Sequence, residues 1–527
     1  MRGSLDPLRS PLARGVVAIG VAALSLAPHS GIAHADEPAA PAVSDTGIDK
    51  ALATPADEPA APAVSEPSPP AAPAKPPATE HEGRFSFGSY GRVLAATDAE
   101  GRPARDTDIV VHGSRLDLDS YVELELRRED RWPALEAESE VTATLAVGSP
   151  LFHWDGEFDA RVAVRNLYFE ERGLGVRGLD AWVGTRYLRG DNFYLLDFWP
   201  LDDVNTLGGG VRYTAPTRTR ADVHLGFGRP DNPFYRDLAD RPAPLGQFGT
   251  ATIELLDRQR MIGSARLEQT VLFGAGPGGL KLVGYGEGHR VPTGEREATS
   301  GALEAVPQET GFVVGAEIGA FSGERDGFLN LFARYASGIA AYGAFASPEG
   351  LGLDRSTAGA HELLLAVVGN YELGAFALQA GGYVRSFRNA SVGLDFGDVD
   401  EGIVIARPQL WLADFAGLAV EGSYQLAQRG VLADLDPEAE ASGAVGSSAP
   451  VPLAAHVGKL SLMPFLSPAG RGSFKRPLLW LAYTATFRDD GARMLYPIGD
   501  QHRARSIDHF FGLAAEWWFG GTSYGGD

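Results

Sequence analysis

The sequence predicts an all-β chain: a transmembrane antiparallel β-barrel of 18 or 16 strands. Three observations carry that expectation. From Gly83 onward, segments of strand length alternate apolar and polar residues between Gly, Asp and Pro. After residue 27 no apolar run reaches the roughly 18 residues a membrane helix needs. The last run, FFGLAAEWWF, places Phe511, Leu513, Ala515, Trp517 and Phe519 on one face and Glu516 and Trp518 on the other.

Residues 1–35 read as a secretory signal. Arg2, Arg9 and Arg14 precede the apolar run Gly15 to Ala27, and Ala33-His34-Ala35 supplies a small-residue cleavage site. That run is too short to cross a bilayer. Residues 36–82 contain eleven prolines, no aromatic residue, and the decapeptide ADEPAAPAVS twice, at 35–44 and 56–65. Such a segment has nothing to pack and its fixed φ angles stiffen it, so it is expected to act as an extended periplasmic spacer. Residues 83–519 form the barrel, and 520–527 a short C-terminal extension for which the pattern offers no role.

The alternation repeats along the barrel region. In SYVELELRR, Val122, Leu124 and Leu126 oppose Tyr121, Glu123, Glu125 and Arg127. In RVAVRNLYFE, Arg161 and Arg165 oppose Val162 and Val164, and in FLNLFARYA, Leu329, Leu331, Ala333 and Tyr335 oppose Asn330 and Arg334. The stretch ELLLAVVGNYELGAFALQAGGYVR fits less cleanly. A soluble sandwich also shows one apolar and one polar face. Charged residues on the polar face of strand after strand, with aromatics ending the other face, are instead the marks of lipid outside and water inside. A closed barrel leaves no unpaired edge, as a bilayer demands. For 18 strands the region allows about 24 residues per strand and connection, and for 16 about 27; both are workable.

One stretch breaks the pattern. DAWVGTRYLRGDNFYLLDFWPLDD (180–203) begins as a strand, with Leu179, Ala181 and Val183 on the apolar face, and loses its period after Gly190-Asp191 until Gly208-Gly209-Gly210 reopens the next strand. A rim connection so rich in aromatic residues has two readings. It folds into the lumen, covering apolar residues against the wall and presenting Asp197 and Trp199 to the channel, or it packs outside on its neighbours or on another subunit.

Composition narrows the function classes. A formal net charge of −22 argues against nucleic acid as a partner, and the absence of cysteine rules out disulfides and thiolate metal sites. The histidines are scattered, and His153 beside Asp155 is the weak exception. GAGPGGL (274–280) precedes no helical pattern and reads as a turn. No catalytic constellation, cofactor motif or metal-binding pattern is expected.

The chain resembles the maltoporin family of sugar-specific outer-membrane porins. The likeness is carried by FSFGSYGRV, SRLDLDSYVELELR, RNLYFE with DAWVGTRYLRGDNFYLLDFWPLDD, ARPQLWLADFAGLAVEGSYQ, KRPLLWLAYTATF and AAEWWF, in that order. It implies an 18-stranded homotrimer, seated in outer-membrane lipid, in which a ladder of aromatic side chains passes pyranose rings through a constriction made by the third loop. By this resemblance Tyr90, Tyr121, Trp154 and Trp518 are the aromatic slide. Asp197 and Trp199 belong to the constriction, with Arg92, Arg115, Glu123 and Arg161 along a polar track. Arg165 and Glu125 are read as balancing lumen charge. Two rungs differ: Val314 stands where an aromatic is expected, and no Trp precedes Arg407. Gly190 and Tyr194 replace the loop's usual Arg and His. The implied function is passive, facilitated diffusion of sugars across the outer membrane. The rivals are a general-diffusion porin and, further off, an outer-membrane enzyme or glycan-binding protein. Chemistry suits the first, because pyranose rings have apolar C–H faces and a rim of hydroxyls that aromatic planes, carboxylates and guanidinium groups match.

Overall fold

The computed structural model describes residues 82–522, apart from 106, 150–151, 153–155, 157–159, 174, 275, 298–300, 324–326, 347, 349–355, 391–396, 432–450 and 498. The expected signal, the spacer and Trp154 lie outside the described residues. An 18-stranded sheet dominates the chain. Its first half is β1 (Glu82–Asp98), β2 (Tyr121–Trp132), β3 (Ala137–Gly148), β4 (Arg161–Arg172), β5 (Leu179–Arg189), β6 (Asp203–Thr214) and β7 (Thr219–Gly228). A hairpin, β8 (Arg236–Pro242) with β9 (Thr250–Asp257), interrupts the series before β10 (Arg260–Leu272) and β11 (Gly279–Val291), and a second small hairpin joins β12 (Gly294–Glu297) to β13 (Leu303–Val306). The wall resumes with β14 (Glu309–Ser322), β15 (Gly327–Gly338), β16 (His361–Leu373), β17 (Phe376–Arg388) and β18 (Val399–Ala413), followed by β19 (Ala416–Val431), β20 (Val451–Leu466), β21 (Leu478–Arg488) and β22 (Ile507–Phe519). Every neighbour is antiparallel, and β22 returns to β1 from Phe519 opposite Ser89 to Phe510 opposite Asp98, so the barrel closes. Long connections such as 99–120, 190–202 and 229–259 leave one rim, and short turns such as 133–136 and 215–218 the other.

The alternation maps onto lipid and lumen as expected. Leu124 and Leu126 are 42% and 60% exposed on the outer wall, whereas Glu123 and Glu125, which alternate with them, are each 2% exposed inside. Outward Phe511, Leu513 and Phe519 likewise flank inward Glu516. Hydrocarbon accepts the first set and could not accept the second, which is why a one-residue slip of register is forbidden.

β4 carries a correction to strict alternation. Thr144 pairs with Asn166 and Leu145 with Val164, so Arg165 is a bulge residue. The extra residue resets the phase: Arg165 and Asn166 both turn inward, and Leu167 and Phe169 recover the outer face.

Two inward-folded connections fill much of the lumen. Ile109 and Val110 of 99–120 join Phe193, Leu195, Leu196, Phe198 and Leu201 of 190–202 in one buried apolar cluster against Val283, Phe332, Leu364, Tyr383, Ile403 and Val457 of the inner wall. The inward reading of the third loop therefore holds, and β6 begins at Asp203, five residues before the glycines. The cluster also explains the blurred stretch of β16. Leu363 and Leu365 face lipid while Leu364, Ala366 and Val368 face the apolar loop, so the strand is apolar on both sides. Two wall glycines receive loop side chains. A Cβ on Gly381 would lie 2.5 Å from the ring of Phe193, and one on Gly315 2.4 Å from Leu201.

Candidate functional site: the lumen constriction

The third loop turns tightly around a short 3-10 helix, Tyr194–Leu196. Phe193 N–H donates to the Phe198 carbonyl at 2.6 Å, and Asp197 sits in the left-handed region at φ 53°. That conformation suits Asp better than a branched residue, and it aims the carboxylate away from the buried apolar side chains. Arg92 of β1 donates Nη1 to Asp197 Oδ2 at 2.7 Å and to the Tyr90 hydroxyl at 3.1 Å. Arg115, from the first loop, donates Nη2 to the same hydroxyl at 2.9 Å and to Glu516 Oε1 at 2.7 Å. Its guanidinium lies 4.1 Å from the centre of the Tyr194 ring.

The network continues in both directions. Tyr90 and Tyr121 have ring centres 6.0 Å apart. The Tyr121 hydroxyl donates to Glu123 at 2.7 Å, and Arg165 donates to that hydroxyl at 2.6 Å and pairs with Glu123. On the other side the turn 467–477 bends inward. Arg476 Nε donates to Glu516 Oε2 at 2.7 Å, and its guanidinium covers Trp518 at 4.0 Å. Phe474 of that turn packs edge-on to Tyr194 at 5.7 Å, and Ser473 N–H reaches Glu372 at 2.7 Å. Glu516 thus joins both inward loops and the inward turn to the wall, because Tyr194 also donates its hydroxyl to it. Burial pushes that hydroxyl above the ordinary tyrosine range, which keeps it a donor.

Of the residues singled out in the sequence, Tyr90, Arg92, Arg115, Tyr121, Glu123, Asp197 and Trp518 meet in this network. Trp199 is buried, with the Arg189 guanidinium 3.5 Å from its ring centre, and it lines a compartment between the loop and the wall at β4–β7, β10 and β11. Arg161 is also placed differently: it lies at the rim end of β4, exposed like the three residues after it, while the bulge brings Arg165 to the track instead. Sequence reasoning missed Tyr194, Glu516 and Arg476. Face parity placed Glu516 inside, but nothing in the pattern showed that one carboxylate would bind three segments. The C-terminal extension also finds a partner, since Thr522 donates its hydroxyl to Glu125 at 2.6 Å.

A second set of inward aromatics lies near the turn rim, with Trp411 and Phe465 edge-to-face at 4.9 Å beside Trp480 and Met463. The lumen therefore offers aromatic surface on the β18–β21 wall as well as on β1 and β2.

Among solved structures, the chain is similar to the outer membrane protein opdK of Pseudomonas aeruginosa, at 12% identity over 83% of this chain and 98% of that one, with a TM-score of 0.38. It is similar also to the outer membrane channel DcaP of Acinetobacter baumannii, at 12% identity over 83% and 97%, with a TM-score of 0.35. A loop-deleted OmpT of Vibrio cholerae gives 10% identity over 83% and 99%, with a TM-score of 0.34. No curated protein sequence matches the chain. The profile of one family, described as LamB porin, matches residues 85–519, the whole barrel from the first strand to its terminal aromatic residue. This chain, an outer-membrane channel by that membership, belongs to the LamB porin family.

Proposed function

We propose that this porin carries sugars across the outer membrane by facilitated diffusion, that its working form is a homotrimer, and that residues 36–82 serve as a periplasmic spacer behind a cleaved signal. One observation supports the transport reading most directly: aromatic planes and opposed charges alternate without a break from Tyr121 and Glu123 through Tyr90, Arg92 and Asp197 to Arg115, Glu516 and Trp518. A pyranose exchanges hydroxyl hydrogen bonds along such a track and meets ring faces at intervals. Many of those faces already hold a guanidinium, so each contact with solute replaces an existing one. Sites of similar, modest strength permit passage where one tight site would stop it.

Single-channel recording on the purified protein tests the reading. Added oligosaccharide should interrupt the ion current in a saturable way. An open pore indifferent to every sugar would leave a general-diffusion porin, and no conductance at all would remove the transport reading.

A further inference from the structure

The compartment on the far side of the third loop has a composition unlike the track. It encloses about 250 Å³, room for a monosaccharide-sized solute, and the charged side chains lining it are Arg165, Arg186, Arg189, Arg212, Arg220 and Arg266 against Asp202 and Asp222. These arginines come from four neighbouring strands and β10, and the set runs from the turn rim, where Arg212 and Arg220 flank the 215–218 connection, to the loop at Arg189.

Their pairing leaves donors unused. Arg212 and Arg220 share the single carboxylate of Asp222, each through Nε, at 2.5 and 2.8 Å. Arg189 likewise gives Nε to Asp203, and Arg186 gives only Nη1, to Glu170. The η nitrogens of Arg189, Arg212 and Arg220 have no hydrogen-bond partner among the described residues. The side chains of Arg212 and Arg220 remain 23% and 37% accessible. Meanwhile the aromatic faces are occupied: Tyr187 has Arg165 at 4.3 Å and Arg189 at 3.9 Å, Tyr168 has Arg186 at 4.5 Å, and Trp182 stacks on His224 at 5.7 Å.

A guanidinium only donates. A neutral sugar brings hydroxyls that must donate as well as accept, and the carboxylates here are already engaged by arginine. A carboxylate on the solute accepts without donating and brings negative charge, so a sugar that carries one satisfies the surplus that hydroxyls alone leave. We propose that this compartment is a binding site for carboxylated sugars of the uronic acid class, entered from the turn-rim mouth past Arg212 and Arg220. The proposal rests on the sugar-porin reading and specifies its substrate class.

The test is current block of the purified mature porin in planar bilayers, with digalacturonate against maltose as a neutral disaccharide of similar size. Digalacturonate should block at about tenfold lower concentration, as expected for one or two charge-assisted hydrogen bonds. The difference should collapse in the double variant Arg212→Gln, Arg220→Gln, and in molar salt, while maltose block is retained. Equal block by both sugars overturns the uronate site and leaves the sugar porin standing. Block by neither removes both readings. A digalacturonate preference that survives the double variant unchanged places the site elsewhere and overturns the assignment. Should that variant fail to insert, the wild-type reversal potential in a gradient of sodium digalacturonate decides: digalacturonate must permeate measurably beside sodium, and a reversal potential at the sodium equilibrium value refutes the site.

Discussion

Replacing Glu516 by glutamine keeps the shape of the side chain and removes the charge on which three segments converge. Arg115 and Arg476 each donate to it at 2.7 Å and Tyr194 adds its hydroxyl, with Glu516 itself 1% exposed. An amide offers one acceptor oxygen in place of two and brings an NH2 group against two guanidiniums. Breaking a buried ion pair by neutralising one partner costs about 3–5 kcal/mol. The inter-strand ladder of β22 with β1 and β21 is made by the backbone and is untouched, so the loss falls on the seating of the two loops and the inward turn. At tenfold per 1.4 kcal/mol this shifts the seated-to-released equilibrium by about 10² to 4 × 10³-fold. Recordings from Glu516→Gln should show higher mean conductance and more open-state noise, with the thermal unfolding of the barrel in detergent close to wild type. Wild-type conductance, noise and sugar block would refute the claim that Glu516 holds the constriction together.

Phe193→Ala removes a fully buried ring from the pocket over Gly381 and should weaken docking of the third loop by about 3–5 kcal/mol; flicker in single-channel traces without loss of assembled barrel is the expected readout. Leu331→Arg places charge near the middle of the apolar outer face of β15, between outward Leu329 and Ala333, and should lower stability in vesicles by about 2–4 kcal/mol, measured as the shift of the urea unfolding curve. Trp199→Ala should enlarge the compartment beneath Arg189, raising conductance and weakening oligosaccharide block; an unchanged block would separate Trp199 from the translocation path.

The barrel was legible because its two solvents impose opposite demands on adjacent residues. Leu124 between Glu123 and Glu125 leaves the assignment of faces with no freedom once lipid is outside. The pattern failed where that opposition disappears. In β16 the lumen side meets an apolar loop, so Leu363 and Leu364 look alike in the sequence and point in opposite directions. In β4 the bulge at Arg165 lets two consecutive residues share one face, and the track base expected at Arg161 moves four positions along the strand.

The candidate site divides in the same way. Tyr90, Arg92, Tyr121 and Glu123 were named from the family resemblance, and all four stand on regular strands or at their ends, where period 2 fixes the direction of a side chain. Trp518 was named by the resemblance and turned inward independently by face parity. The stacked position of Trp199 under Arg189 and the inward bend of the turn bearing Phe474 and Arg476 follow no local rule, since both arise in segments without a period.

The sequence by itself, through alternation with charge repeated on one face and aromatics ending the other, determined that residues 83–519 would enclose water within lipid and which side of each regular strand would face each. Tertiary structure alone decided which charges meet. Arg115 and Glu516 are separated by nearly the whole barrel in sequence and become neighbours only when β22 closes on β1 and the first loop folds in. Ion-pair partners and stacked rings are chosen by distance across the lumen, a quantity that no one-dimensional period contains.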